Sequence, residues 1–117
     1  MTTEQFNQMK GVMEFDLSIY LATMINSRMF NNVQVLEMGA FVGASYTHFS
    51  KTENIQFSDQ DKMNIKQYLC DFYSKNIRSG ISDAEKNVIR KKYDELLNTD
   101  NSIIQSYLQK IANLAIK

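Results

Sequence analysis

Two blocks of this chain, Phe57-Ser58-Asp59-Gln60-Asp61-Lys62 and Ile81-Ser82-Asp83-Ala84-Glu85-Lys86, each place a serine three residues ahead of a carboxylate and just before an apolar-periodic run. A helix start leaves backbone N–H groups without partners. This pattern supplies a hydroxyl acceptor for one of them and a carboxylate that reaches back to the serine N–H. The C-terminal half is therefore expected to be helical. A six-residue block is too short for a solenoid unit, so the two blocks read as similar helix starts and not as a duplication. The chain has no proline and only four glycines, which withholds the usual punctuation of strands and favours helices.

Thr2 or Thr3, followed by Glu4 and Gln5, can cap a first helix whose apolar residues Phe6, Met9, Met13, Leu17, Tyr20 and Met24 recur at spacings of three and four. Gly11 and Glu14-Phe15-Asp16 offer a division of this run into two helices, with Asp16 capping the second; Asn31-Asn32 ends it in either case. Over 35–49, the residues Val35, Met38, Val42, Tyr46 and Phe49 fit one helical face. Beside it Gly39, Ala40, Gly43 and Ala44 form a face with almost no side chain, where another helix could approach closely. Each glycine costs about 1 kcal/mol in a helix interior, so a short strand over 33–38 followed by a glycine turn competes with this reading.

The next helix runs from about Asp59 to Ile77, with Met63, Ile65, Leu69, Phe72 and Tyr73 expected inward, Lys75 and Arg78 near its end and Gly80 just beyond. Another begins after Ser82, buries Val88, Ile89, Tyr93, Leu96 and Leu97, and breaks at Asn98-Thr99-Asp100-Asn101. A last helix, Ser102 to about Ala115, carries Ile104, Tyr107, Leu108, Ile111 and Leu114. The short connections favour antiparallel neighbours. The expected fold is all-α, one domain over 1–117 built as a compact bundle of four to five helices. The alternative is α/β with a short strand around 33–38.

At 117 residues, with 44% hydrophobic and thirteen aromatic side chains, the chain can bury a core without staples. Thirteen basic and thirteen acidic residues cancel, which excludes a polycation or a polyanion. The distribution is uneven: residues 1–50 hold two basic and four acidic side chains, whereas 62–92 hold eight basic and three acidic. The single cysteine, Cys70, excludes an intramolecular disulfide, and the first residues lack the basic segment and apolar core of a secretion signal, so a cytoplasmic setting is expected. The apolar run 12–30 is interrupted by Glu14, Asp16 and Arg28, and 33–49 contains Glu37, so no membrane span is expected.

The segment Val35-Leu36-Glu37-Met38-Gly39-Ala40-Phe41-Val42-Gly43-Ala44-Ser45 resembles the first motif of S-adenosylmethionine-dependent methyltransferases, a strand running into a glycine-rich turn. The resemblance covers eleven residues. It implies glycines that let the backbone approach the cofactor, and it gives Asp59, after a possible strand over 54–57, the role of holding a ribose. The rest of the chain offers no further apolar strand runs for the parallel sheet of such a fold.

His48 and Cys70 are the only soft metal ligands, where a structural zinc site takes about four, and one of each is a weak basis for a nucleophilic pair. Asp59, Asp61, Asp83 and Glu85 fall in first helical turns, where anions complement the helix dipole; calcium-loop spacing is missing. No metal, cofactor or catalytic residue is therefore expected.

Lys62, Lys66, Lys86, Arg90, Lys91 and Lys92, with Lys75 and Arg78 nearby in sequence, could meet phosphates as a basic surface. The helix after Asn98-Asn101 has only Lys110 before its end, unlike a recognition helix. Six of the seven methionines fall within residues 1–38, and methionine suits both cores and adaptable partner surfaces. Met9, Met13, Leu17, Tyr20 and Met24 are accordingly the candidate partner-binding residues, with a homodimer as one form of partner.

The expected function is a small non-enzymatic protein–protein interaction module. Abundant asparagine, lysine and isoleucine suit an AT-rich genome such as that of a phage or low-GC bacterium, where small inhibitors and adaptors are common. The alternatives are a nucleic-acid-binding helical protein using the basic residues of 62–92, and a reduced S-adenosylmethionine-binding domain.

Overall fold

Ser58 Oγ accepts from the Asp61 N–H at 3.1 Å while the Asp61 carboxylate accepts from the Ser58 N–H at 2.9 Å. Ser82 and Glu85 make the same reciprocal pair at 3.2 and 3.0 Å. Thr2 with Gln5, and Asn31 with Gln34, repeat the arrangement with an amide in place of the carboxylate. The structure, a computed structural model, describes residues 1–77 and 80–116, without the side chains of 115 and 116. The four boxes open α1 (Thr3–Ser27), α2 (Asn32–Thr52), α3 (Asp59–Asn76) and α4 (Asp83–Leu96); α5 (Asn101–Ile116) follows. The described residues are all-helical, with no strand.

Three expectations need correction. The strand over 33–38, and the α/β alternative with it, is replaced by the continuous helix α2. The Asn31–Gln34 box starts that helix, and the two glycines are tolerated because large side chains fill the space beside them. α1 is likewise undivided: it passes through Gly11, and Asp16 accepts a hydrogen bond from the Tyr46 hydroxyl of α2 instead of capping a second helix. Met63, expected inward, is exposed, since the inward row of α3 is Ile65, Leu69, Phe72 and Tyr73 joined by Cys70. Arg78 lies outside the described residues.

α2 is the central helix and packs against each of the other four; α1 also meets α5, and α3 meets α4. Its small face, Gly39, Ala40, Gly43 and Ala44, is entirely buried, which lets neighbouring helices close in on its backbone. A Cβ at Gly39 would stand 2.6 Å from Tyr73 Cε2, and one at Gly43 would stand 2.9 Å from Leu69 Cδ1 with the Tyr93 ring beyond. Two polar residues on α2's buried side, Thr47 and Ser45, are partnered within the bundle. Thr47 Oγ1 donates to Gly43 O and pairs with the Tyr93 hydroxyl at 2.9 Å, while the Gln105 amide of α5 donates to Ser45. The buried apolar residues form one cluster drawing on all five helices. The radius of gyration, 13.5 Å, matches the value of about 13.4 Å for a compact chain of this length.

Candidate interaction surface

α1 is apolar on two sides. Its inner stripe contains Met9, Met13, Leu17, Leu21 and Met24, all buried in the protein's own core, with Tyr20 half-buried beside them. Of the candidate partner-binding residues Met9, Met13, Leu17, Tyr20 and Met24, all but Tyr20 are buried within the monomer, and Met9 reaches the surface at the edge of a groove beside α2. The reason is geometric: α2 and α5, the two helices that α1 chiefly packs against, cover the stripe.

The outer stripe is Gln5, Gln8, Val12, Phe15, Ile19, Ala22 and Asn26, which alternates steps of three and four along α1. Phe15 is 68% exposed and Val12 50%, with Ile19 and, beyond the stripe's edge, Ile25 and Met29 also open to solvent. No charged residue occupies the stripe. Phe49 of α2, 57% exposed, continues the patch sideways. A groove of about 370 Å³ runs between the two helices, lined by Gln8, Met9, Val12, Tyr46, Phe49 and Ile55 among others. Scattered apolar residues on a surface need no explanation, but a contiguous set on one helix face with an adjoining groove is a candidate contact surface.

The groove's polar edge is held still. Tyr46 donates to Asp16, and burial, reinforced by Asp16, pushes its pKa well above the usual tyrosine value. Tyr20 is raised in the same direction, by burial first and then by Asp16. Both phenols are therefore protonated near neutral pH, and Asp16 is tied to α2.

The basic residues divide. Lys62, Lys66 and Cys70 form a row on α3, and Lys86, Arg90 and Asp94 form a row on α4, each at intervals of four. The rows face each other: Cys70 Sγ lies 3.9 Å from Lys86 O, and Lys66 Nζ lies 3.1 Å from Asp94 Oδ1. Burial raises the Cys70 thiol pKa while Arg90 and Lys86 pull it down. Lys51 of α2 joins Lys62 and Lys66 around a depression of about 420 Å³ that Asp59 and Asp94 also line. Lys92 is on another flank, 3.4 Å from Glu37 and over the Phe41 ring, and Lys91 is exposed without sharing either row. Four of the six candidates thus line one seam, diluted by carboxylates.

At Gly39 and Gly43 the space that a cofactor would enter is occupied by Tyr73, Leu69 and Tyr93. Residues 54–57 form no strand, and Asp59 lies in the exposed first turn of α3, so the strand and turn implied by the methyltransferase resemblance do not form. His48 Nε2 contacts Leu96 O at the end of α4, while Cys70 contacts Lys86 near its start, about 15 Å away along that helix. Among the described residues no three His, Cys, Asp or Glu side chains gather as metal ligands, and no helix is long and apolar enough to cross a membrane.

No protein-family model, curated protein or solved structure matches the chain. The surface therefore rests on its own geometry. Val12, Phe15 and Ile19 were not singled out by sequence reasoning, and Phe49 was placed only on the helical face of Val42 and Tyr46. The usable signal was a second three-and-four periodicity on α1, offset from the methionine stripe and headed by Gln5 and Gln8.

Proposed function

We propose that the protein is a non-enzymatic protein–protein interaction module of the adaptor or inhibitor kind, and that it docks through the outer face of α1 together with Phe49. The observation that carries this reading is the uncharged stripe Val12, Phe15 and Ile19, exposed on a helix whose opposite face already fills the core. Interface centres favour large aromatic and aliphatic anchors depleted of charge, as this stripe is. A direct test is capture from nuclease-treated lysate with wild-type and Phe15→Asp bait. Loss of a discrete protein with the variant supports the reading; equal recovery overturns it.

A second reading rests on Lys62, Lys66, Lys86 and Arg90 along the α3–α4 seam, which would meet phosphate oxygens. It requires binding of a labelled oligonucleotide at low salt that weakens steeply as salt is added. Absence of binding at low salt removes it.

A further inference from the structure

We propose that the partner seated on the outer face of α1 is a second copy of this chain, with the two α1 helices antiparallel about a two-fold axis beside Leu17. The inference rests on the docking-face reading above and names its occupant. Three observations lead to it.

First, the alternation of three and four residues over Gln5, Gln8, Val12, Phe15, Ile19, Ala22 and Asn26 is the repeat of a two-helix seam, about 3.5 residues. Such a seam winds by about 20° per seven residues on a straight helix, so the two copies wrap gently around each other. Second, the seam is self-complementary when reversed. Setting Phe15 against the second copy's Ile19 places Val12 against Ala22, a large side chain on a small one, and Gln8 against Asn26, amide on amide. No like charges face each other within the stripe, and Asp16, beside the axis, is held toward α2 by Tyr46.

Third, the same operation supplies a place for Phe49. Phe49 flanks Gln8 and Val12, and the residues of the second copy opposite these are Asn26 and Ala22. On the matching side of those residues lies a depression of about 280 Å³ lined by Ala22, Thr23, Asn26, Ser27 and Leu114. An exposed ring on one copy and an open hollow on the other thus coincide, twice, as an isologous interface requires.

Area sets the expected strength. From Gln8 to Asn26 the seam is about 27 Å long, and a strip one helix wide covers about 270 Å² on each copy. Each Phe49 hides about 100 Å² of its own and a similar area of the hollow it enters. Over both copies the total is about 940 Å², in the size class of weak and transient interfaces, so a weak dimer with a dissociation constant in the micromolar range is expected.

Sedimentation equilibrium of the full chain from about 1 to 500 µM spans that range. The weight-average mass is expected to rise from 13.6 kDa towards twice that value. Phe15→Asp, at an exposed position, is expected to keep its helix content and to weaken association at least tenfold. A wild-type chain that stays at 13.6 kDa throughout overturns the dimer. Register is read by disulfide trapping, which buried Cys70 does not disturb. A mixture of Gln8→Cys and Asn26→Cys chains is expected to cross-link, and Gln8→Cys alone is not; cross-linking of Gln8→Cys with itself overturns the antiparallel arrangement. A fluorescent apolar dye separates this proposal from the reading beneath it. Dye that binds monomeric wild type but not Phe15→Asp leaves the docking face standing without the dimer, and dye that binds neither removes both.

Discussion

Gly39 of α2 faces the ring of Tyr73 of α3 so closely that a Cβ at Gly39 would stand 2.6 Å from Tyr73 Cε2, and Tyr73 is itself completely buried. The ring has no room to retreat. Gly39→Ala should therefore destabilise the protein by about 1–3 kcal/mol, although alanine is the better helix former. Gly11 offers the opposite case, because nothing lies within 4 Å of its missing Cβ. Gly11→Ala should stabilise by about 0.4–1 kcal/mol. Urea unfolding of the two variants should give shifts of opposite sign.

The two faces of α1 are expected to separate stability from the proposed binding. Met13 is completely buried, so Met13→Ala should cost about 2–5 kcal/mol. Phe15 is exposed, so Phe15→Asp should change stability by no more than about 0.5 kcal/mol. Thermal melts together with a binding assay check the pair: the first variant loses stability, the second loses association.

Thr47 and Tyr93 test the buried polar contact between α2 and α4. Their hydroxyls lie 2.9 Å apart, and burial raises the Tyr93 pKa to about 12. Thr47→Val should cost about 1–3 kcal/mol, because it leaves the Tyr93 hydroxyl unpaired in the core. Adding Tyr93→Phe should recover part of that loss, read as a coupling energy in a double-mutant cycle.

The α3 cap gives the pH dependence. The Asp61 pKa lies below its usual 3.8, chiefly because the carboxylate accepts from the Ser58 backbone N–H, with burial opposing. A carboxylate whose pKa is lowered by folding contributes stability that is complete above its unfolded pKa and is lost as pH falls through the folded value. Asp61→Ala should therefore lower the Tm near neutral pH, and the gap from wild type should narrow below about pH 4. Ser58→Ala should cost about 1 kcal/mol.

The helix starts at Ser58 and Ser82 were legible because capping is local: one side chain and the residue three ahead determine it. The Gly39 and Gly43 face was legible as a close-approach surface, but residues 33–38 left strand and helix open, since only Tyr73, Leu69 and Tyr93 fill the space that offsets the two glycines. The proposed docking face was harder to read. Periodicity finds an apolar stripe but does not say which of two stripes faces inward, and the methionine-rich one on α1 belongs to the core. The outer stripe is recognised only once α2 and α5 have taken their places. Convergence of Lys62 and Lys66 with Lys86 and Arg90 likewise depends on the pairing of α3 with α4, which no local pattern encodes.

The most direct test of the docking face is affinity capture from native, nuclease-treated lysate with three baits: wild type, Phe15→Asp and Lys62→Ala/Lys66→Ala. The account predicts a discrete protein, the chain itself included, recovered by wild type and by the lysine variant and lost with Phe15→Asp. Recovery that persists with Phe15→Asp but disappears with the lysine variant would contradict it and move function to the α3–α4 seam.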